Sequence, residues 1–231
     1  MNTTTKNHED ENSSRSQARA QINSICDMIA ALECDYDRLE ELTSEHAKLL
    51  DAVDEATTAH NLATEELEAS EECVRYHHDG QLDPNGDTVE HEQYRADFEH
   101  HAATKQDLAE ARLNLEAWER DNAEELEELS TACNECRDQD DAAQRIQEDA
   151  LSVEVRSGWQ SQGATLEPEE FRIVLCTGGP HCQLIGELED GTPTRVWMEY
   201  SDWGTSLTEY PTTGSDNAAL LTYAQQFYFG E

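Results

Sequence analysis

Lysine is nearly missing: Lys6, Lys48 and Lys105 are the only three in 231 residues. Lys plus Arg total 15 against 52 Asp plus Glu, a formal net charge of −37. That balance excludes the ordinary route to nucleic-acid binding, in which basic side chains neutralise phosphates and release counterions. It also excludes attraction to an anionic membrane surface, which depends on clusters of Lys and Arg. Long apolar runs are lacking too, since no stretch approaches the ~18 apolar residues that span a bilayer. Met1 to Gln21 holds no apolar core of the kind a secretory signal requires, so the expected location is the cytoplasm. Aromatic residues are few before residue 150, and ten of the fifteen fall after it.

The charge is shared unevenly, and this gives the first boundary. Residues 1–150 hold 40 of the 52 acidic groups and 12 of the 15 basic ones, whereas 151–231 hold 12 and 3. Large rings bury much area each, so the last 81 residues are expected to close a small core. The first 150 lack the means to make an ordinary one.

Residues 1–15 are polar, with nothing to bury, and read as a disordered tail. From Ile22 a heptad register begins: Ile22, Ile25, Ile29, Leu32, Tyr36 and Leu39, a polar interruption at Thr43 and His46, then Leu50, Val53, and later Leu67 and Val74. Thr57, His60 and Thr64 also weaken its middle. Spacings of three and four sustained this long predict a coiled-coil seam. Gly80, Pro84, Asn85 and Gly86 concentrate helix breakers after His78. A second helix is expected from about Thr88 to Cys136, with Tyr94, Phe98, Leu108, Leu115, Trp118, Leu126, Leu129 and Cys133 as its apolar face. The result is an antiparallel helical hairpin over residues 16–137, with arms of ~60 residues and ~90 Å. Its narrow seam leaves pairing with a second copy, a homodimer through the coiled coil, or with another protein as the expectation.

Residues 138–150 read as a short linking helix carrying Ala143 and Ile146. After it the period changes to two: Val153 and Val155, then Phe171, Ile173 and Leu175, then Leu184, Gly186 and Leu188. Asp190-Gly191 is a hairpin signal before Arg195 to Tyr200. Ser215 or Asp216 is expected to cap a last helix through Leu220, Leu221, Tyr223 and Phe227. The fold class is therefore α+β: a long N-terminal antiparallel helical hairpin, then a small antiparallel sheet of four or five strands with one C-terminal helix over residues 151–231.

Several C-terminal segments form a recognisable set: Leu151 to Trp159, Glu169-Glu170-Phe171, Leu175 to Pro180, Glu199-Tyr200, Asp202 to Thr205, Thr208-Glu209-Tyr210, and the ending Gln226-Phe227-Tyr228-Phe229-Gly230-Glu231. In order and over nearly all of residues 151–231, this set resembles an uncharacterised family of acidic phage and prophage proteins. The resemblance implies a viral or proviral source and action inside the host cell. It supplies no catalytic residue. His181 and Cys182 stand where the family's pattern has a plain apolar pair.

Seven cysteines are an odd number for a disulfide framework. Cys133-x-x-Cys136 is the tight pair; on a helix its thiols share a face, and the hairpin fold brings Cys34 near Cys133. Zinc in structural sites takes four ligands, and no second CxxC or HxxxH is present, so buried seam thiols are the commoner outcome and no metal is assigned. Cys176, His181 and Cys182 hold a thiol and a base, but no third orienting group can be named, and no catalytic residue or cofactor is assigned. Gln81-x-Asp83-x-Asn85-Gly86-Asp87 with Glu92 echoes a calcium loop, yet Gln replaces the first ligand and Pro84 intervenes; a helix-breaking turn is the better reading. His77, His78, His91, His100 and His101 flank that turn as a solvated cluster.

Charge is what remains to argue function. Duplex DNA carries one negative charge per ~1.7 Å, and the acidic rod as expected carries about half that density. Rows of Glu65, Glu66, Glu68, Glu71 and Glu72, and of Glu116, Glu119, Glu124, Glu125, Glu127 and Glu128, are the candidate partner-binding surface. Trp159 and Trp203 are candidate anchors, since aromatic side chains are typical of interfaces; filling the core is their alternative use. The sharp expectation is an inhibitor of a host nucleic-acid-processing complex, such as a CRISPR effector or a restriction system, that mimics nucleic acid. The alternatives are a coiled-coil scaffold or adaptor in phage assembly, and acidity serving solubility or a salty interior.

Overall fold

The computed structural model describes the backbone of residues 4–77, 89–163, 167–203 and 205–230, with side chains from residue 14 onward except at His77 and Val89. Its elements run α1 (Thr4–Leu32), α2 (Tyr36–His77), α3 (Val89–Cys133), α4 (Gln139–Asp149), β1 (Ser152–Arg156), β2 (Glu170–Cys176), β3 (His181–Glu189), β4 (Thr192–Ser201), β5 (Thr208–Glu209) and α5 (Gly214–Ala224). The chain is α+β, with long helices that pair and a five-stranded antiparallel sheet followed by a helix. The breaker segment 79–87 and the calcium-loop echo at 81–87 lie outside the described residues.

The chain forms two compact units, Met1–Tyr36 with Leu129–Glu231, and Asp37–Glu128. This corrects the reading of residues 16–137 as one hairpin. The heptad stripe of α1 is real, but it serves the sheet. Ala18, Ile22, Ile25, Met28 and Ile29 are buried in one cluster with Ile146 of α4, the inward face of β2 to β4 and Leu220, Tyr223 and Ala224 of α5. Residues 4–15, read as a tail, are the first turns of α1. The helix stops at Leu32, and the chain turns through Glu33, Cys34 and Asp35. The Cys34 N–H donates to Ala31 O at 3.3 Å, and the Tyr36 hydroxyl to Ala31 O at 3.0 Å.

The sheet is a meander in the order β1-β2-β3-β4-β5, every pair antiparallel. Asp190 and Gly191 connect β3 to β4 with φ of 51° and 75°, the backbone a type I′ turn needs. Phe171, Ile173, Leu175, Leu184, Val196 and Met198 point to the helices, as period-two alternation requires. Gly186 lies under the Phe171 ring and against the Arg195 carbonyl, leaving no room for a Cβ. Phe229 closes over Phe171 with ring centroids 4.7 Å apart. Thr213, two residues before the expected position, caps α5: its hydroxyl accepts from the Asp216 N–H at 3.2 Å, and the Asp216 carboxylate accepts from the Thr213 N–H at 2.9 Å. This reciprocal box leaves Asp216 an inner partner and not the cap.

In the second unit α2 and α3 run antiparallel, because partners on α3 fall in number as those on α2 rise. Arg38 meets Glu125, His46 meets Trp118 and Glu119, His60 meets Thr104 and His101, and Glu66 meets His100. The covered positions of α2 are Leu42, His46, Leu49, Val53, Ala56, His60, Ala63, Leu67, Ser70 and Val74, an alternation of four and three throughout. The predicted register shares His46, Val53, His60, Leu67 and Val74 but took Thr43 and Leu50, which are exposed, in place of Leu42 and Leu49. On α3 the seam runs through Tyr94, Asp97, His101, Thr104, Leu108, Ala111, Leu115, Trp118, Asn122 and Leu126, and Phe98 is exposed. The arms hold 42 and 45 residues, so each is ~65 Å long rather than ~90 Å.

Because α1 and α4 complete the core of the sheet, a chain beginning at residue 151 leaves Phe171, Ile173 and Leu184 uncovered. It is expected to show no cooperative thermal transition by circular dichroism, while the full chain does. Asp216 supplies a second test. Its carboxyl is held below the ordinary value of 3.8 chiefly by the Thr213 N–H and further by the Arg19 guanidinium at 2.9 Å. A depressed folded pKa contributes stability at neutral pH that is lost as pH falls through that pKa. Asp216→Asn is expected to cost about 1–2 kcal/mol at pH 7 and to flatten the fall in denaturant midpoint below about pH 4.

Candidate interaction surfaces

Heptad geometry sets where each glutamate points. With Ala63, Leu67, Ser70 and Val74 in the seam, Glu65 and Glu72, seven apart, lie on the outermost line of α2, while Glu66 and Glu71 flank the seam on opposite sides. Glu71 is half-buried and Glu65, Glu66, Glu68 and Glu72 are exposed. Glu116, Glu119, Glu124, Glu125, Glu127 and Glu128 are all exposed on α3. The acidic groups therefore wrap the outward half of each helix and do not form a row on one face. Antiparallel pairing places 65–72 toward one end of the hairpin and 116–128 toward the other, so the two sets do not merge.

Four of these carboxylates are already engaged. Glu125 accepts from Arg38 Nε and Nη2, each at 2.9 Å, and this fork holds its carboxyl below the usual range. Glu119 lies 3.3 Å from His46, Glu66 3.4 Å from His100 and Glu71 3.5 Å from Arg75. Glu65, Glu68, Glu72, Glu116, Glu124, Glu127 and Glu128 make no ion pair among the described residues. Over its full length α2 carries 12 carboxylates against 3 Lys plus Arg, and α3 carries 13 against 4. That is about one net charge per 3.6 Å of hairpin, half the density of duplex DNA.

Trp159 and Trp203 are exposed and do not fill the core. They stand apart: Trp159 follows the end of β1 that pairs with the start of β2, and Trp203 follows the end of β4 that pairs with the start of β3. These are opposite ends of the sheet. Trp197 instead packs under Arg195, the guanidinium carbon 5.4 Å from its ring centroid, and its indole N–H donates to Glu199 at 3.3 Å.

The thiols gather as the spacing suggested, but by a different backbone. α3 ends at Cys133, and Asn134 and Glu135 take φ of 46° and 67°. The Cys136 N–H returns to Cys133 O at 2.9 Å, so Cys136 leaves the helix and does not share its face. Burial, then the Cys34 thiol, pushes Cys133 up to about 12, and burial with the neighbouring thiols of Cys136, Cys133 and Cys34 raises Tyr36. Tyr36 was legible only as a seam residue. Across the β2–β3 turn Cys176 is paired directly with Cys182, which burial and then Cys176 push up to about 12. The His181 ring engages Gln183 at 2.9 Å, not a thiol. Among the described residues no group of three or more His, Cys, Asp or Glu side chains stands as a metal site, and no helix is long and apolar enough to cross a membrane.

No family model matches the chain, and searches of curated proteins and of solved structures found no match.

Thiol reactivity follows from these surroundings, since the thiolate is the nucleophile. With iodoacetamide at pH 7.5, exposed Cys73 is expected to alkylate first and Cys133 and Cys182 last, as read by peptide mass spectrometry; labelling of Cys182 as fast as Cys73 would contradict its burial.

Proposed function

We propose that the protein acts by binding a basic protein surface through the α2–α3 hairpin, as an acidic stand-in for nucleic acid. The observation that carries this reading is the set of seven exposed glutamates that make no ion pair among the described residues, on a helix pair of half the charge density of duplex DNA. A groove built to track a phosphate backbone presents Lys and Arg to any partner of that charge, and complementary potentials speed encounter. Joined to the resemblance of residues 151–231 to acidic phage and prophage proteins, the reading becomes an inhibitor, encoded by a virus or provirus, that occupies the nucleic-acid channel of a host defence complex in the host cytoplasm. It works by occupancy and needs no catalytic residue.

A second reading has its own observation. Carboxylates on every outward line of both helices, with no chosen face, suit a scaffold or adaptor that uses charge for solubility. Glu-to-Gln replacement at 65, 68, 72, 116, 124, 127 and 128 separates the two, because none of these positions is in the seam. In the inhibitor reading, the full chain retains nucleic-acid-processing proteins from host lysate, duplex DNA or raised salt displaces them, and the Gln variant loses them while keeping its helical circular dichroism. Retention unchanged by the substitutions and by DNA would overturn mimicry and favour the scaffold.

A further inference from the structure

Strand β1 is the longer of the two edge strands of the sheet, hydrogen-bonded on one side to β2 and on the other to nothing among the described residues. Edge strands template pairing unless they are shortened, charged or covered. Here the alternate positions Leu151, Val153 and Val155 are aliphatic and 62%, 40% and 50% exposed. The period-two pattern places Val153 and Val155 on one strand face, and they share that face with Ile173 and Phe171 opposite them. The helices cover Ile173 and Phe171 and leave the valines open.

Charge selects the occupant. The two ionised side chains of β1 are already matched within the chain, Glu154 with Arg172 and Arg156 with Glu170 on β2. The edge is thus locally neutral in a chain of net charge −37. A basic partner is drawn to the carboxylates of the hairpin and finds nothing on this strand to favour it. The hairpin in turn is a poor place for two copies to meet, since its seam is filled from within and its outward lines are acidic. A twofold contact must be self-complementary, and β1 meets that condition about Val153. Antiparallel pairing centred there sets Val153 against Val153 of the second copy and Leu151 against Val155, with Ser152 facing Glu154. Centring on Glu154 would oppose two carboxylates and is disfavoured.

We infer that the protein forms a reversible homodimer by antiparallel pairing of β1 with β1 of a second copy, centred on Val153, giving one continuous ten-stranded sheet. The contact is small, so association is weak and concentration-dependent. It also has a salt signature opposite to that of acidic mimicry: screening relieves the repulsion between two strongly negative chains while the neutral strand contact is untouched, so the dimer strengthens as salt rises.

Sedimentation velocity of the full chain over a concentration series, at low and at high NaCl, is the test. The expected result is a monomer–dimer equilibrium that shifts toward dimer with salt and is lost in Val153→Lys at the concentration where the parent chain is half dimer. Because that variant also alters β1 itself, hydrogen exchange of the parent chain is followed in parallel, and the β1 amides are expected to gain protection as concentration rises. A Val153→Cys chain, oxidised and digested, should yield a peptide linked from residue 153 to residue 153. A monomer at every concentration, a dimer indifferent to Val153→Lys, or linked peptides from α2 or α3 each overturns the inference. Failure of the dimer leaves partner binding by the hairpin untouched, since that is read from glutamate substitutions and weakens with salt.

Discussion

Burial of the α1 stripe against the sheet is the contact on which the rest depends. Ile22, Ile25, Met28 and Ile29 supply the apolar area that β2, β3 and β4 cannot find among their own connections. At about 25 cal/mol per Å² of apolar surface, four large aliphatic side chains stabilise a small sheet far more than any of its exposed ion pairs. Once α1 is committed to the sheet, α2 and α3 have only each other. Their seam holds His46, His60, Ser70, Asp97, His101, Thr104 and Asn122 among its leucines, and several of these find partners across it: His46 stacks on Trp118 at 4.9 Å, and His60 lies against Thr104 at 3.4 Å.

That division gives each unit its own physical character. The sheet unit keeps most of the rings and a conventional core; the hairpin keeps much of the charge and a thin polar-spotted seam. The proposed function rests on the second, because its outward carboxylates are numerous and many make no ion pair among the described residues, while the sheet contributes an edge that is close to neutral. The same chain thus offers one strongly acidic surface and one whose charges are matched within the sheet.

Much of the architecture was legible because it rests on local signals. Period two marked β2, β3 and β4, Asp190-Gly191 marked its turn, and the Asp216 box lay within three residues of the expected cap. The break at Glu33 to Asp35 was not legible. It contains no glycine or proline, and Leu32 and Tyr36 continue the heptad spacing across it, so the stripe of α1 and the seam of α2 read as one. What separates them is the competing sheet, whose apolar face lies more than a hundred residues further on. Thr43 and Leu50 were chosen for the same reason: a seam anchored on Ile22 arrives one position late at Leu42 and Leu49. The site residues fared by kind. Exposure of most of the glutamates followed from residue type; that of Trp159 and Trp203 did not, since a large ring serves a core as readily as an interface, and the division of both sets between the two ends of the hairpin and the two ends of the sheet is a matter of topology. The gathering of Cys34, Cys133 and Cys136 was foreseeable from an antiparallel return; the left-handed turn at Asn134 and Glu135 was not, since neither residue is glycine.

Leu32 and Gln139 lie close enough for the Gln139 amide to donate to the Leu32 carbonyl at 3.1 Å, and the Cys34 thiol reaches the Leu129 carbonyl at 3.6 Å. The chain therefore leaves the sheet unit and returns to it at nearly the same point, with residues 37–128 as an excursion. During synthesis this ordering imposes a wait. The isoleucines of α1 emerge roughly 140 residues ahead of Phe171, and at ribosomal rates that is on the order of ten seconds or more. Through that interval the apolar stripe of α1 has no sheet to cover it, and the material that follows it out is the most acidic part of the chain.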